Sequence, residues 1–345
     1  MIALRGLGIR NLCILHCFLS TTALFIFSTT VSAIPISGLV LTVTNTLHKY
    51  YFGDTDDVNP YPFNTMISPL SEYHNCRSAW PKVRVLIFVH SAPDNLIRRE
   101  YIRRTWGNSR RWAQHWASGQ QMRVIFVFGA NLTQILQKRI EREAGIYRDI
   151  IQADFVENYR NLSYKAMTWL KWSSEHCPNI PLLVKTDDDI FFNIFAYISH
   201  IQSLLAYGAV SSKRTIFCLV YHRGKVDRRK VSKWYVSHDE FPGTAYGPHC
   251  PGLAYAMTGD LSGTLYSAAK RTQLFWIDDI FITGMVADRI RNLTRYDLNW
   301  FYEMYPNQLL PRLREGTLVI AHEVRLLRRY AMWRSLVDQQ TKRVH

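Results

Sequence analysis

The chain has 345 residues, 48% of them hydrophobic, with 10 Trp, 19 Tyr and 17 Phe. That supplies apolar volume for one large catalytic domain with appendages, or for two modest domains, and argues against a disordered chain. The formal net charge of +15, gathered at 98–111, 223–233 and 325–334, fits nucleic acid, anionic substrate, membrane headgroups or a solvated basic surface.

Arg5 and Arg10 precede residues 12–34, a stretch without Asp, Glu, Lys or Arg. It is long enough to span a bilayer, which takes about 20 apolar residues. It also exceeds the apolar region usual in a cleaved signal, although Val31-Ser32-Ala33 leaves secretory cleavage as the alternative. Read as an anchor, with positive charge before it and Asp54, Asp56 and Asp57 after it, the stretch leaves the N-terminus in the cytosol and the remainder in a lumen. That orientation argues against nucleic acid as partner. The expected organisation is a cytoplasmic tail (1–11), a transmembrane signal-anchor (12–34), a lumenal stem (35–81), a catalytic domain (82–338) and a C-terminal tail (339–345). Glycosylation sequons at Asn131, Asn161 and Asn292 agree with a lumenal chain. Outside the apolar stretch, Cys76, Cys177, Cys218 and Cys250 suit two disulfides in an oxidising compartment, with three pairings open. No CxxC or His/Cys spacing suggests zinc.

From residue 82 apolar runs of strand type alternate with helical patterns. Strands are expected at 83–90, 123–129, 149–155 and 181–186, and helices at 95–107, 132–144 and 159–176. Leu162, Ala166, Trp169 and Leu170 make a core-facing stripe in the last of these. Such alternation predicts an α/β fold with a mainly parallel sheet covered on both faces, and ligands outside the strands' carboxyl ends. The second half is less regular. Strands are expected at 215–220, 234–236, 253–257 and 317–321, and helices at 261–270, 279–288 and 328–338, with a turn-rich loop through Gly243, Gly247, Pro248, Pro251 and Gly252.

The fourth strand delivers Asp187, Asp188 and Asp189 between two apolar runs. Grouped anions repel and are costly to desolvate, so they imply a cation, unless they simply form a solvated turn. Oxygen ligands at a strand end suit Mg²⁺ or Mn²⁺ shared with substrate phosphates. A second acidic pair, Asp278-Asp279, opens a later helix. Asp278 there suits a cap, whereas Asp279 suits a general base within reach of a pocket hydroxyl.

Together with their order and spacing, particular residues carry a family resemblance. Arg99, Ile102, Arg103, Thr105, Trp106 and Gly107 resemble the RxxIRxTWG element of glycosyltransferase family 31, the β-1,3-galactosyltransferase and β-1,3-N-acetylglucosaminyltransferase group. Asp154, Phe155, Tyr159, Asn161, Leu162, Ser163 and Lys165 resemble its DFxDxYxNLTxKT segment, and Lys185, Asp187, Asp189 and Phe191 its KxDxDxF element. Lys233-Trp234-Tyr235-Val236, Phe241-Pro242 and Asp278-Asp279-Ile280-Phe281 follow in the same order, over about 83–333.

The resemblance implies a GT-A-like, Rossmann-type mixed sheet in a single catalytic domain, in a type II Golgi membrane protein with the domain in the lumen. It implies an inverting UDP-sugar-dependent hexosyltransferase using Mn²⁺ (or Mg²⁺) and an acceptor glycan on a glycoprotein or glycolipid. Asp189, Asp187 and His322 would hold the metal, and Asp279 would be the base. Arg99, Arg103, Lys165, Asp187 and Asp188 would contact the nucleotide-sugar, and Trp234, Tyr246, Tyr255 and Asp278 the acceptor. Arg103 and Trp106 equally suit bracing of the first helix, and His322 a structural role. Departures from the family pattern fall at Asp278 (usually Glu), Ala254 (usually Gly), Phe241 (usually Tyr) and Tyr246-Gly247-Pro248-His249. A metal-dependent phosphohydrolase or nucleotidyltransferase, or a catalytically inactive glycan-binding relative, are the competing readings.

Overall fold

The computed structural model describes residues 57–69, 76, 83–108, 121–130, 133–322 and 324–344. The expected tail and anchor, most of the stem, and Asn131 lie outside the described residues. Among the described residues no helix is long and apolar enough to cross a membrane.

The chain runs β1 (Thr65–Ile67), β2 (Val83–His90), α1 (Leu96–Arg104), β3 (Gln121–Ala130), α2 (Gln134–Tyr147), β4 (Ile150–Val156), a 3₁₀ turn (Tyr159–Asn161), α3 (Leu162–His176) and β5 (Leu182–Asp187). There follow β6 (Phe191–Phe192), α4 (Ile194–Ala206), β7 (Thr215–Cys218), β8 (Gly224–Lys225), β9 (Ala245–Tyr246), β10 (Ala254–Thr258) and α5 (Leu261–Lys270). A π-helix (Ile280–Val286) and a 3₁₀ turn (Ala287–Arg289) lead to β11 (Thr294–Asp297), β12 (Tyr302–Glu303), α6 (Leu309–Glu315), β13 (Ile320–Ala321) and α7 (Leu326–Val344).

Eight strands form one sheet in the order β1-β4-β3-β2-β5-β10-β7-β11. Pairing is parallel from β4 through β5 and between β7 and β11, and antiparallel at β1/β4 and on both sides of β10. The mixed, mainly parallel α/β architecture expected from the alternation is therefore present. Strand β2 explains why the sheet is buried on both faces. Val85, Ile87 and Val89 enter one apolar cluster, while Leu86 and Phe88 enter the other. This is the two-residue period of a strand, and each such side chain contributes about 1.5–3 kcal/mol on burial. Trp169 of α3 stacks on Phe88 with ring centroids 5.0 Å apart.

The strand order reverses between β2 and β5, where β3 and β4 extend one way and β10 the other. At such a switch point the connections leave in opposite directions and open a crevice beyond the carboxyl ends. His90 and Asp187, the last residues of β2 and β5, are paired in register there.

Two disulfides fasten the periphery. Cys76–Cys177 ties the segment before β2 to the end of α3, and Cys218–Cys250 ties β7 to the loop before β10. Several sequence expectations need correction. Residues 234–236 form no strand, because the segment is held by loop hydrogen bonds rather than a partner strand. Strand 317–321 shortens to β13, and helix 279–288 is a π-helix followed by a 3₁₀ turn. Helices α4 and α6 and strand β11 were not foreseen.

Candidate active site

Asp187 to Asp189 stand at the tip of β5, and successive side chains diverge. Asp188 is buried, and its carboxylate accepts from Ser91 Oγ at 2.7 Å, Asn95 Nδ2 at 2.9 Å and Arg98 at 2.9 Å. Its carbonyl accepts from Arg329 of α7 at 2.7 Å. Asp188 thus braces the β2–α1 loop, which corrects its expected contact with the nucleotide. Asp187 and Asp189 face outward, with side chains 36% and 47% exposed. Arg98 reaches Asp189 at 3.4 Å. Burial, opposed by Lys185 and reinforced by Asp189 and Asp278, pushes the Asp187 carboxyl up to about 6.

Lys185 is the centre of the arrangement. Its ammonium is buried within β5 and donates to Asp187 Oδ1 at 2.8 Å and to the carbonyl of Gly252, and it stands 3.5 Å from Asp278 Oδ2. Burial opposes this charge, but Asp187 and Asp278 outweigh it and raise the pKa. The amide of Gly252 donates in turn to Asp279 Oδ2 at 2.7 Å, and the Ile280 amide donates to Asp279 Oδ1 at 2.8 Å. Gly252 therefore links the lysine on one side to Asp279 on the other. A Cβ there would sit 3.3 Å from Asp279 Oδ2 and 3.5 Å from Lys185 Nζ, so a larger residue would push the carboxylate back by a few tenths of an ångström.

Asp279 opens the π-helix, and its carbonyl accepts from Thr283 Oγ1 at 2.5 Å. Burial and the neighbouring Asp278 push its carboxyl up to about 7, against the pull of Lys185 and the two amides. A carboxylate so poised exchanges a proton near neutrality. Asp278 is buried, with Oδ2 3.5 Å from His90 Nδ1. The Trp169 indole donates to His90 Nε2 at 3.2 Å, so the ring proton sits on Nδ1, facing Asp278. Burial, with Lys185 and Lys165 nearby, holds His90 well below its ordinary pKa and keeps it neutral.

Three expected nucleotide contacts are internal braces. Arg99 is fully buried and donates to Glu143 at 2.8 and 2.7 Å, to Ser91 at 3.2 Å and to the carbonyls of Ala92 and Pro93. Arg103 forms a bidentate pair with Asp149 at 2.8 Å, meets Glu143 at 2.7 Å and lies 3.9 Å from the Tyr147 ring centroid. Lys165 donates to Glu157 and to the Ser91 carbonyl, each at 2.6 Å. These cations tie α1, α2 and α3 to the sheet, a bracing arrangement that fixed guanidinium geometry suits. Trp106 is buried edge-on to Phe192.

The expected acceptor residues divide. Tyr255 lies fully buried in β10, with Lys185 Nζ 5.9 Å from its ring centroid, and Tyr246 is buried against Phe241. Trp234 is 43% exposed. Lys233 Nζ lies 4.3 Å from its ring centroid and 5.9 Å from that of Tyr159, and so links the two rings. Ala254, in place of the family's glycine, pairs with Thr186 in the sheet, so its methyl enters the core and leaves the loop's approach to Asp279 unchanged. Asn292 is exposed, while Asn161 Nδ2 donates to the Val156 carbonyl at 2.8 Å.

Among the described residues no group of three or more His, Cys, Asp or Glu forms a ready-made metal cluster. A divalent ion shared with phosphates takes only one or two carboxylates from protein, and outward-facing Asp187 and Asp189 have that chemistry. Strand β13 pairs antiparallel with β6, Ala321 against Phe191, and this register brings His322 alongside the turn that follows Asp189. Lys185, Gly252, His90, Tyr159 and Arg329 were missed as site residues. A lysine inside a buried strand two residues before an aspartate was the available signal, because a buried ammonium requires a fixed anion.

Residues 97–297 match the family model described as galactosyltransferase. A lactosylceramide 1,3-N-acetyl-beta-D-glucosaminyltransferase of Homo sapiens is 32% identical over 256 residues, 70% of this chain and 65% of that protein. Beta-1,3-galactosyltransferase 1 of Mus musculus is 29% identical over 236 residues, 68% of each chain. The match thus spans about two thirds of these relatives' length. Among solved structures, mouse xyloside xylosyltransferase 1 superposes with a TM-score of 0.34 at 11% identity, covering 70% of this chain and 97% of that one.

Proposed function

This chain belongs to the galactosyltransferase family, and from that premise we propose that it is an inverting β-1,3-glycosyltransferase. It moves a hexose, galactose or N-acetylglucosamine, from a UDP-sugar to an acceptor glycan on protein or lipid. The names of the two relatives support the 1,3 linkage and differ in the sugar, which is why both donors stand. The reading extends to a GT-A-type catalytic domain held in the Golgi lumen behind residues 12–34.

One observation carries the proposal. Asp279, with its carboxyl near 7, is joined through Gly252 and Lys185 to Asp187 at the open tip of β5. This reading puts the base and the site of the charged leaving group at the two ends of one hydrogen-bonded chain. In the reaction Asp279 takes the proton of an acceptor hydroxyl, whose oxygen bonds to the anomeric carbon. The bond from that carbon to the UDP oxygen breaks, and its electron pair leaves with UDP. Asp187 and Asp189 would hold Mn²⁺ or Mg²⁺, with His322 beside them. When bound, that ion would neutralise charge growing on the departing diphosphate. The two amides on Asp279 fix the direction in which its free lone pairs point.

The test is transfer by the purified protein from a panel of UDP-sugars, with Mn²⁺, to simple β-linked acceptors. The proposal expects a 1,3-linked product with inverted configuration and loss of activity in EDTA. Phosphate release independent of any acceptor would favour the phosphohydrolase alternative instead.

A further inference from the structure

Arg228 belongs to the basic run 223–233, yet its guanidinium is spent on the backbone. One nitrogen donates to the carbonyls of Val236 at 2.8 Å and Ser237 at 2.6 Å. The other donates to those of Phe241 and Gly243, both at 2.7 Å. A guanidinium is planar and its N–H groups point in fixed directions, so carbonyls gathered on it are held in one arrangement. The amide of Val236 also donates to the Asp227 carbonyl at 3.0 Å, and β8 and β9 close the base of the loop.

The outer edge of this loop reaches the other half of the cleft. Arg160 donates to Glu240 at 2.6 Å and to the Tyr235 carbonyl at 3.4 Å, and Lys233 Nζ lies 4.3 Å from the Trp234 ring centroid and 5.9 Å from that of Tyr159. The Tyr159 ring packs 6.0 Å from that of Trp276, which stands two residues before Asp278 and three before Asp279. A half-exposed indole anchored on this side of the acidic pair gives the apolar face of a pyranose a flat surface.

We propose that Arg228 is a positioning residue for acceptor selection: it holds the loop 227–243 so that Trp234 and Tyr159 form the wall on which the acceptor sugar lies beside Asp279. The inference rests on the glycosyl-transfer reading above. It assigns the loop to the acceptor and leaves the donor to the tip of β5.

The test uses the full chain and compares wild type with Arg228→Gln, Arg228→Lys and Trp234→Ala. Acceptor KM, UDP-sugar KM and acceptor-independent hydrolysis of UDP-sugar are measured for each. Arg228→Gln should raise acceptor KM about tenfold or more, with kcat and donor KM changed by less than about threefold. Arg228→Lys should recover part of that loss, since one ammonium reaches fewer carbonyls. Trp234→Ala, at a 43% exposed side chain, should reproduce the rise in acceptor KM. Wild-type acceptor KM in both Arg228→Lys and Trp234→Ala would overturn the inference, as would equal changes in donor and acceptor KM. A wild-type protein that transfers sugar from no donor would defeat the underlying reading. An active wild type with unaffected variants defeats this inference alone.

Discussion

The Gly252 amide donates to Asp279 Oδ2 at 2.7 Å while the carbonyl of the same residue accepts from Lys185. One peptide segment thus fixes the distance between the base and the buried ammonium that pairs with Asp187. Gly252→Ala puts a methyl 3.3 Å from that carboxylate oxygen, so the carboxylate must move by a few tenths of an ångström. The expected outcome is a kcat lower by about tenfold with little change in donor KM, because misplacement at the reacting centre is felt in the chemical step. Steady-state kinetics with donor and acceptor varied separately checks this.

Asp279 also sets a conflict between stability and activity. Its folded pKa near 7 lies above the ordinary carboxylate value, so it favours folding at low pH and loses that contribution as pH rises through about 7. Asp279→Asn removes the charge and should raise Tm at pH 8 by about 2–4 °C. The gain should shrink as the pH falls below 7 and vanish only near pH 4, where the unfolded chain also holds the proton. Thermal melts of both proteins across that range give the comparison.

Removing the ammonium at the centre should cost more than removing a surface charge. Lys185→Met leaves Asp187 and Asp278 facing each other without their cation. We expect a loss of about 3 kcal/mol at pH 8 by urea denaturation. The deficit should narrow toward pH 5 as Asp187, whose carboxyl stands near 6, takes up a proton.

Neighbouring aspartates should separate cleanly. Asp188→Ala removes the acceptor shared by Ser91, Asn95 and Arg98 and should cost about 2–3 kcal/mol of stability. Asp189→Ala, at a half-exposed side chain, should change stability by less than about 0.5 kcal/mol. Its transfer rate should fall about tenfold or more, if it holds the ion that offsets leaving-group charge. Melts and transfer assays on the same two preparations distinguish the roles.

The alternation of apolar runs made the parallel half of the sheet legible, because a strand buried on both faces is written as a continuous apolar stretch. The antiparallel insertion of β10 beside β5 was not legible, since strand order depends on which faces meet and not on any local pattern. Asp187, Asp189 and Asp279 stood out because anions amid apolar residues need a reason. Arg99, Arg103 and Lys165 were ambiguous for a related cause. A cation that binds phosphate and one that binds a buried glutamate look alike in sequence, and only the partners Glu143, Asp149 and Glu157 tell them apart. Residues 234–236 were read as a strand, whereas the guanidinium of Arg228, eight residues before Val236, holds the segment that carries Trp234. Helix α4 escaped notice because its apolar residues continue directly from the run that begins at Ile190.

The central claim is that Asp279 takes the acceptor's proton, and the pH dependence of kcat/KM for the acceptor tests it most directly. The account predicts a rate that rises with pH along a limb centred near 7, and in Asp279→Asn a rate lower by about 10²–10⁴ with that limb gone. A wild-type profile flat from pH 5.5 to 8.5, or an Asn variant that keeps both the rate and the limb, would contradict it.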